Sequence, residues 1–518
     1  MFASISSATL FGVEGRQVSV EVHVSSGLPG FAVVGLPDEA CREARDRVRA
    51  ALLSSSLVWP QKRITVNLAP VGIRKGGSVL DLAIAIGLLV ATDEIPQAAV
   101  EGRSFLGELG LDGSVRRVTG CFALVDALPT SEVIVSPACF WEATALGRHC
   151  VRVGESLREL ADCLRGLLPW PSPPMGPPAC SAIAAPDLAD VRGQPLARLA
   201  TEIAAAGGHH ILFTGPPGAG KTMLARRLPG LLPVLSRDDA LEVLRIQSAA
   251  GLPTAASLLN VPPPFRAPHH GASAVSLIGG GTASMRPGEL SCAHRGVLFL
   301  DELGEFAPHV LDALRQPLEE GVVRVARARA TVTFPARFLL VAATNPCPCG
   351  WATAGPGPTG VLGQIDGELP HCRCSPNLRE RYRRRLSGPL LDRFDLRVDV
   401  TRPDINELVE GDAAEGSWAV AERVAMARNV ALDRGVACNA GLEGQALSDF
   451  ASLDCSARHL VTWHLRRGSL TARGLSRIRR VARTIADLWG EPIDQALGEA
   501  AVGLAIELRR PSSFEEGL

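Results

Sequence analysis

Eight residues, Gly215-Pro-Pro-Gly-Ala-Gly-Lys-Thr222, constrain this chain more than any other stretch. They fit G-x-x-x-x-G-K-[ST], and they sit where that pattern has meaning: after a strand-like run (Ile211 to Thr214) and before a helical one (Met223 to Leu228). Strand, glycine loop and helix in that order commit the region to a parallel α/β sheet. Gly215, Pro216, Pro217, Gly218, Ala219 and Gly220 form a loop whose backbone N–H groups converge on phosphate oxygens, helped by the dipole of the helix behind them. Lys221 puts a compact ammonium between the β- and γ-phosphates of ATP, and Thr222 ligates Mg²⁺. Composition strengthens the point. Among 53 basic residues only Lys62, Lys75 and Lys221 are lysines, so arginine serves almost everywhere else. A forked guanidinium does not fit so tight a loop.

The partners of such a loop follow in order. Gly296-Val-Leu-Phe-Leu-Asp-Glu302 is a hydrophobic strand ending in two carboxylates. Asp301 is expected to hold the magnesium shell, and Glu302 to act as general base on the attacking water. The next strand, near Phe338 to Ala343, leads to Asn345, which orients that water beside the γ-phosphate. Arg393 follows a short helix, and an arginine finger of this kind is often supplied by a neighbouring subunit. Arg473 opens an amphipathic helix with Leu475, Ile478, Val481 and Ile485 on one face, and is expected to reach back to the γ-phosphate.

At 518 residues the chain is too long for one core. Residues 169–186 carry seven prolines and read as a linker. The expected organisation is an N-terminal domain over 1–168, this linker, an ATPase domain over 187–402 and a C-terminal helical lid over 403–518. In the first domain, Val18 to Val24 and Ile64 to Leu68 read as strands, Asp38 to Leu53 as a helix and Asp81 to Ala91 as a buried helix. The longest apolar run, Leu82 to Ala91, is half of what a bilayer span needs. The start of the chain lacks a basic segment ahead of an apolar one, so a signal peptide is not expected. Thirteen mostly scattered cysteines fit a reducing cytoplasm rather than a disulfide framework.

One cysteine group stands apart. Cys347, Cys349, Cys372 and Cys374 form C-x-C, twenty-two residues, C-x-C, which suits a structural Zn²⁺ site, with His371 as a spare ligand. A net charge of −1 excludes a uniformly basic protein, but the charge is segregated. Ser456 to Ala486 holds eight arginines and no acid, and Arg379 to Arg385 is a second basic run. Val322 to Phe334 reads as a hairpin, with Arg324, Arg327 and Arg329 on or near its tip as candidate DNA contacts.

Longer segments carry a resemblance. Phe265-Arg-Ala-Pro-His-His270, Arg286-Pro-Gly-Glu-Leu290, Ala293 to Glu302 and Leu311 to Glu319 resemble the YifB/ComM family of magnesium-chelatase-like AAA+ ATPases. Leu28 to Pro37, Arg63 to Pro70 and Phe105 to Leu109 match the same family. The resemblance covers nearly the whole chain and implies a multi-domain α/β protein. Its parts would be a Lon-protease-like (ribosomal S5 domain 2-like) N-terminal domain, a P-loop AAA+ parallel-sheet domain and a C-terminal helical lid. It also implies a homo-hexameric ring and a DNA helicase that drives branch migration in natural transformation or recombination. Single-stranded or branched DNA and recombination proteins would be its partners. In this family the hairpin and the Phe265 to Gly281 insertion face the central pore. The alternatives are a chelatase-type ATPase that remodels a protein partner and a Lon-like peptidase. The last is disfavoured. Ser78 lies where the nucleophile would, but Arg117 to Leu124, where the base is expected, contains no lysine.

Overall fold

The structure is a computed structural model that describes residues 1–72, 75–176, 186–281, 285–327, 330–352, 372–386, 388–402 and 414–510. Residues 177–185 of the proline-rich linker, the acidic stretch 403–413, His371 and Arg329 therefore lie outside the described residues.

The N-terminal region is built on a seven-stranded mixed sheet. Its centre is a long antiparallel hairpin, Phe2–Phe11 with Glu14–Ser25, in register from Phe2 opposite His23 to Phe11 opposite Glu14. The strand at Val18 to Val24 thus extends at both ends, and its partner at the chain start was not legible as a strand. Arg63–Ala69 pairs antiparallel with the hairpin's second strand, while Gly30–Val34 adds in parallel. Asp38 caps the Glu39–Ser54 helix by accepting from the Cys41 N–H at 2.8 Å. The Asp81–Ala91 helix is buried along its whole length, as its all-round apolar sequence requires.

A second sheet, of five strands, carries the site. All its pairings are parallel, in the order Phe265–Arg266, Val297–Leu300, Leu339–Thr344, Ile211–Thr214, Leu396–Asp399. The three central strands are wholly buried, which explains their continuous apolar runs. Because every strand points the same way, the loop after Thr214, the carboxylates after Leu300 and Asn345 after Thr344 gather at one edge. Residues 322–335 form the expected antiparallel hairpin, Val322–Arg327 with Ala330–Pro335. Val323, Val325, Val332 and Phe334 at its base are buried in one cluster with Val13, from the turn of the N-terminal hairpin. The C-terminal helices Ser417–Asp433 and Ala472–Leu488 share a core with Pro195–Gly207 and the central sheet. Among the described residues, no helix is long and apolar enough to cross a membrane.

Candidate functional site

The loop after Ile211–Thr214 takes its shape from glycines at two positions where nothing else fits. Gly218 and Gly220 have φ of +78° and +93°, a region closed to most side chains. Gly220 then caps the Lys221–Arg227 helix, whose first turn faces the loop. Lys221 is buried to 8% exposure, and its Nζ donates to the carbonyls of Gly215 (2.6 Å) and Pro216 (2.9 Å) and to Asn345 Oδ1 (3.1 Å). Burial pulls this ammonium down to about 8, against the opposing pull of Asp301 and Glu302. Thr222 Oγ1 donates to Asp301 Oδ2 at 2.8 Å. A hydroxyl and a carboxylate oxygen meeting at the mouth of a phosphate loop are the hard oxygen donors that Mg²⁺ prefers.

Glu302 adopts a left-handed backbone, φ 52° and ψ 49°, a strained choice for a non-glycine residue and one that clusters at functional sites. Its side chain is half exposed and meets His270 Nδ1 at 3.0 Å. His270 in turn lies edge-on to Phe306. The sequence carried His270 inside the motif ending His269-His270 but offered no sign of this contact, because the two residues lie in turns more than thirty positions apart in the chain. The same motif is tied down by Arg266, whose Nε and Nη2 donate to both Glu289 oxygens at 2.6 and 2.7 Å.

The two arginines lie elsewhere. Arg393 precedes Leu396–Asp399, which runs parallel to Ile211–Thr214 with Ile211 opposite Leu396 and Thr214 opposite Asp399. Arg393 is therefore at the edge where these strands begin, while the phosphate loop is at the edge where they end. Four residues of strand put about 13 Å between those edges before either loop is added. Arg393 pairs with Glu319, and its Nε is buried with no acceptor among the described residues. Burial first, then the fields of Arg477, Arg473 and Arg315, lower its proton affinity. Arg473 thus belongs to a positive group around Arg393, whereas the charges acting on Lys221 are Asp301 and Glu302. In this geometry Arg473 stands with Arg393, away from the phosphate loop of its own chain. The reason is the seat of its helix, which packs against the strand-start edge: Thr484 Oγ1 lies 2.8 Å from His209 Nε2, and Arg477 Nη1 donates to Asp395 Oδ1 at 2.5 Å.

The basic runs are also less open than their sequence implied. Arg479 donates to the Ala451 and Leu447 carbonyls, Arg480 to the Leu442 carbonyl, and Arg483 is fully buried against Asp487. Four of the eight arginines, counting Arg477, are thus held in contacts inside the fold. Arg458, Arg466, Arg467 and Arg473 remain exposed. In the second run Arg384 pairs with Glu380 and Arg385 with Glu305. On the hairpin, Arg324 is exposed and pairs with Glu320 at 3.0 Å, and Arg327 is the last residue of its first strand.

The four cysteines of the C-x-C pairs do come together, with all their sulfurs within 4.8 Å of one another. Cys347 Sγ is 3.3 Å from Cys349 Sγ and 3.7 Å from Cys372 Sγ, and Cys349 to Cys372 is 3.6 Å. These are free thiols, not disulfides. Zinc–sulfur bonds of about 2.3 Å at tetrahedral angles give sulfur–sulfur edges of about 3.8 Å, so the donor set fits a zinc ion closely. Burial opposes ionisation of Cys349, but N–H groups of Trp351 and Arg373 outweigh it and bring the thiol down to about 6.

In the N-terminal region, Ser78 Oγ donates to Glu108. Lys75 is fully buried, with its Nζ on the Pro70 carbonyl. No lysine is a hydrogen-bond partner of Ser78 among the described residues.

Comparison with known proteins bears on the whole chain. Residues 187–408 match the family described as Magnesium chelatase, subunit ChlI. Residues 20–137 match Subunit ChlI of Mg-chelatase, and 414–509 match Magnesium chelatase, subunit ChlI C-terminal. Competence protein ComM of Haemophilus influenzae is 41% identical over 500 residues, covering 94% of each chain. YifB of Escherichia coli is 40% identical over 483 residues, covering 92% of this chain and 91% of its own. A protein of Mycobacterium tuberculosis is 43% identical over 512 residues, 96% of this chain and 97% of its own. The magnesium-chelatase 38 kDa subunit of Cereibacter sphaeroides is 28% identical over 221 residues, 39% of this chain and 54% of its own. The chain belongs to the YifB/ComM family of magnesium-chelatase-like proteins.

Proposed function

We propose that this protein is an ATP-hydrolysing AAA+ motor, working as a ring of six identical subunits and acting on single-stranded or branched DNA as a branch-migration helicase. The observation that carries the reading is the split between the two edges of the five-stranded sheet. Lys221, Thr222, Asp301, Glu302 and Asn345 are gathered at one, and Arg393 with Arg473 at the other. A phosphate loop with its own arginines at the far edge is completed by the arginines of a second copy, and a closed ring satisfies every subunit in the same way.

Within one site the division of labour follows from contacts. Lys221 and the loop N–H groups bind the β- and γ-phosphates, and Thr222 and Asp301 hold magnesium, which neutralises phosphate charge when bound. Glu302 takes the proton of the attacking water, and Asn345, already bonded to Lys221, holds the water beside the phosphorus. Arg393 and Arg473 of the adjacent subunit stabilise charge on the transferred group. The Cys347, Cys349, Cys372 and Cys374 thiolates hold a structural zinc ion, supported by their spacing. We assign 1–168 to a Lon-protease-like domain without peptidase activity, 187–402 to the ATPase domain and 403–518 to the lid. Ser78 bonded to Glu108 and Lys75 turned to a carbonyl support the loss of that activity. The name of the Haemophilus relative, a competence protein, is in keeping with a role in DNA uptake and recombination in the cytoplasm.

A second reading, remodelling of a protein partner, draws support from the arginines consumed inside the C-terminal helices. ATPase assays with no DNA, single-stranded DNA and forked DNA separate the two. Stimulation by DNA, falling with salt, supports the motor on DNA. A rate indifferent to every DNA form rejects it in favour of the second.

A further inference from the structure

The cysteine cluster stands where two walls of the nucleotide site are joined. Its first pair follows Asn345, the residue bonded to Lys221, by only two positions. Just beyond it, Gly350 has φ +85°, and its α-carbon lies so close to Pro217 of the phosphate loop that a β-carbon would run into the proline ring. At the next position, Trp351 is covered by the Arg402 guanidinium, 4.6 Å from its ring centre. The second pair leads directly into the Pro376–Arg383 helix, capped by Ser375. Tyr382 of that helix is buried against Gly304, two residues past Glu302, leaving no room for a β-carbon there. Arg385 donates to the Gly304 carbonyl and pairs with Glu305, both at 3.1 Å.

We propose that the metal held by these four thiolates is a control point for ATP turnover, because it fastens the segment on the phosphate loop to the segment on the Glu302 turn. This rests on the reading above of the site as an ATPase. The ligand is a thiophilic d¹⁰ divalent cation, zinc by ligand chemistry and by the 3.3–3.7 Å sulfur spacings. With the metal in place, Asn345 and Pro217 on one side and Glu302 on the other share one rigid frame. Without it, the two C-x-C pairs are linked through the chain between them, more than twenty residues long. The separation of base, water-orienting amide and phosphate loop then relaxes, and a misplacement of about 1 Å costs on the order of 10²-fold in rate. The same segment continues to Arg393, so the frame also sets the arginine offered to the neighbouring subunit.

The test uses the full-length chain. Metal content is measured by atomic emission on the wild type, on wild type stripped with a mercurial and chelator, and on the Cys372→Ser/Cys374→Ser variant. Nucleotide affinity is read with a fluorescent ATP analogue, and turnover by phosphate release. We expect about one zinc ion per chain, lost in the variant, and a roughly 10- to 100-fold lower kcat after stripping that returns when zinc is added back. If the double variant does not fold, stripping and reloading the wild type reads the same quantity. Gly350→Ala supplies an independent arm: it should keep its zinc yet bind the analogue more weakly, because the left-handed turn against Pro217 is disturbed while all four thiols remain. Wild type that contains no zinc, or stripped protein that binds and hydrolyses ATP undiminished, overturns the proposal. Should the wild type show no turnover at all, the ATPase reading falls. Analogue affinity that still tracks metal loading would then keep the metal coupling, and affinity indifferent to it would overturn that too.

Discussion

The five-stranded sheet carries charge at both ends, and the two ends handle it differently. Where the strands end, Lys221 rests on carbonyls and an amide oxygen, and Glu302 is half exposed with only His270 beside it. Where they begin, charges are paired to completion: Asp395 takes His209 and Arg477, and His209 reaches Thr484. Arg393, paired with Glu319, and the exposed Arg473 stand beside that closed network and repel one another. The first end is organised to receive an anion. The second gathers arginines beside a network that is already closed.

The sharpest way to break this comparison is Arg393→Ala. If the arginine serves a neighbour, kcat should fall by about 10³-fold or more while analogue affinity changes little. Mixing this variant with Lys221→Ala should restore part of the activity, since some interfaces then hold one intact loop and one intact arginine. Mixed assemblies as inactive as their parents would put Arg393 outside the site. Next in size is Glu302→Gln, for which single-turnover hydrolysis should drop roughly 10²- to 10⁴-fold with the nucleotide still bound. Rapid hydrolysis by that variant would remove Glu302 as base.

The closed end predicts a stability effect instead. Asp395→Asn should destabilise the fold by about 3 kcal/mol, read by denaturant unfolding, because Arg477 loses a buried counter-charge and the contact with His209 is disturbed. Burial opposes the Asp395 carboxylate, but His209 and Arg477 outweigh it and hold the carboxyl well below the usual range. A depressed acid stabilises above its unfolded pKa, so this contribution is intact near neutrality and is lost as pH falls below about 4. The smallest effect concerns Lys221, which burial brings down to about 8 in the free protein. Phosphate raises it again, so binding takes up a proton above that pH. Analogue affinity should hold below pH 8 and weaken about tenfold by pH 9. A flat profile would show that the ammonium is not the phosphate contact.

Local patterns were legible where a single element carries the information. The buried Asp81–Ala91 helix, the Val297–Leu300 strand and the 322–335 hairpin all read directly from apolar runs and periodicity. The opening strand Phe2–Phe11 was not legible, because its signal is spread over small polar residues and is decided by pairing with Glu14–Ser25. The arginines of 473–483 looked like one basic surface because a linear count cannot see carbonyls arriving from other helices. The His270–Glu302 contact was invisible for the same reason, as its partners lie in turns that follow different strands.

By itself, the sequence determined the chemistry of Gly215 to Thr222, since eight consecutive residues with two left-handed glycines leave a phosphate loop little alternative. It also determined that four thiols were available in two tight pairs. Only the tertiary structure decided which end of the sheet each charge occupies, and that the thiols meet between the phosphate loop and the Glu302 turn. The physical reason is distance. A motif within one turn of chain carries its own geometry, whereas the position of Arg393 follows from strand order and direction across a whole domain.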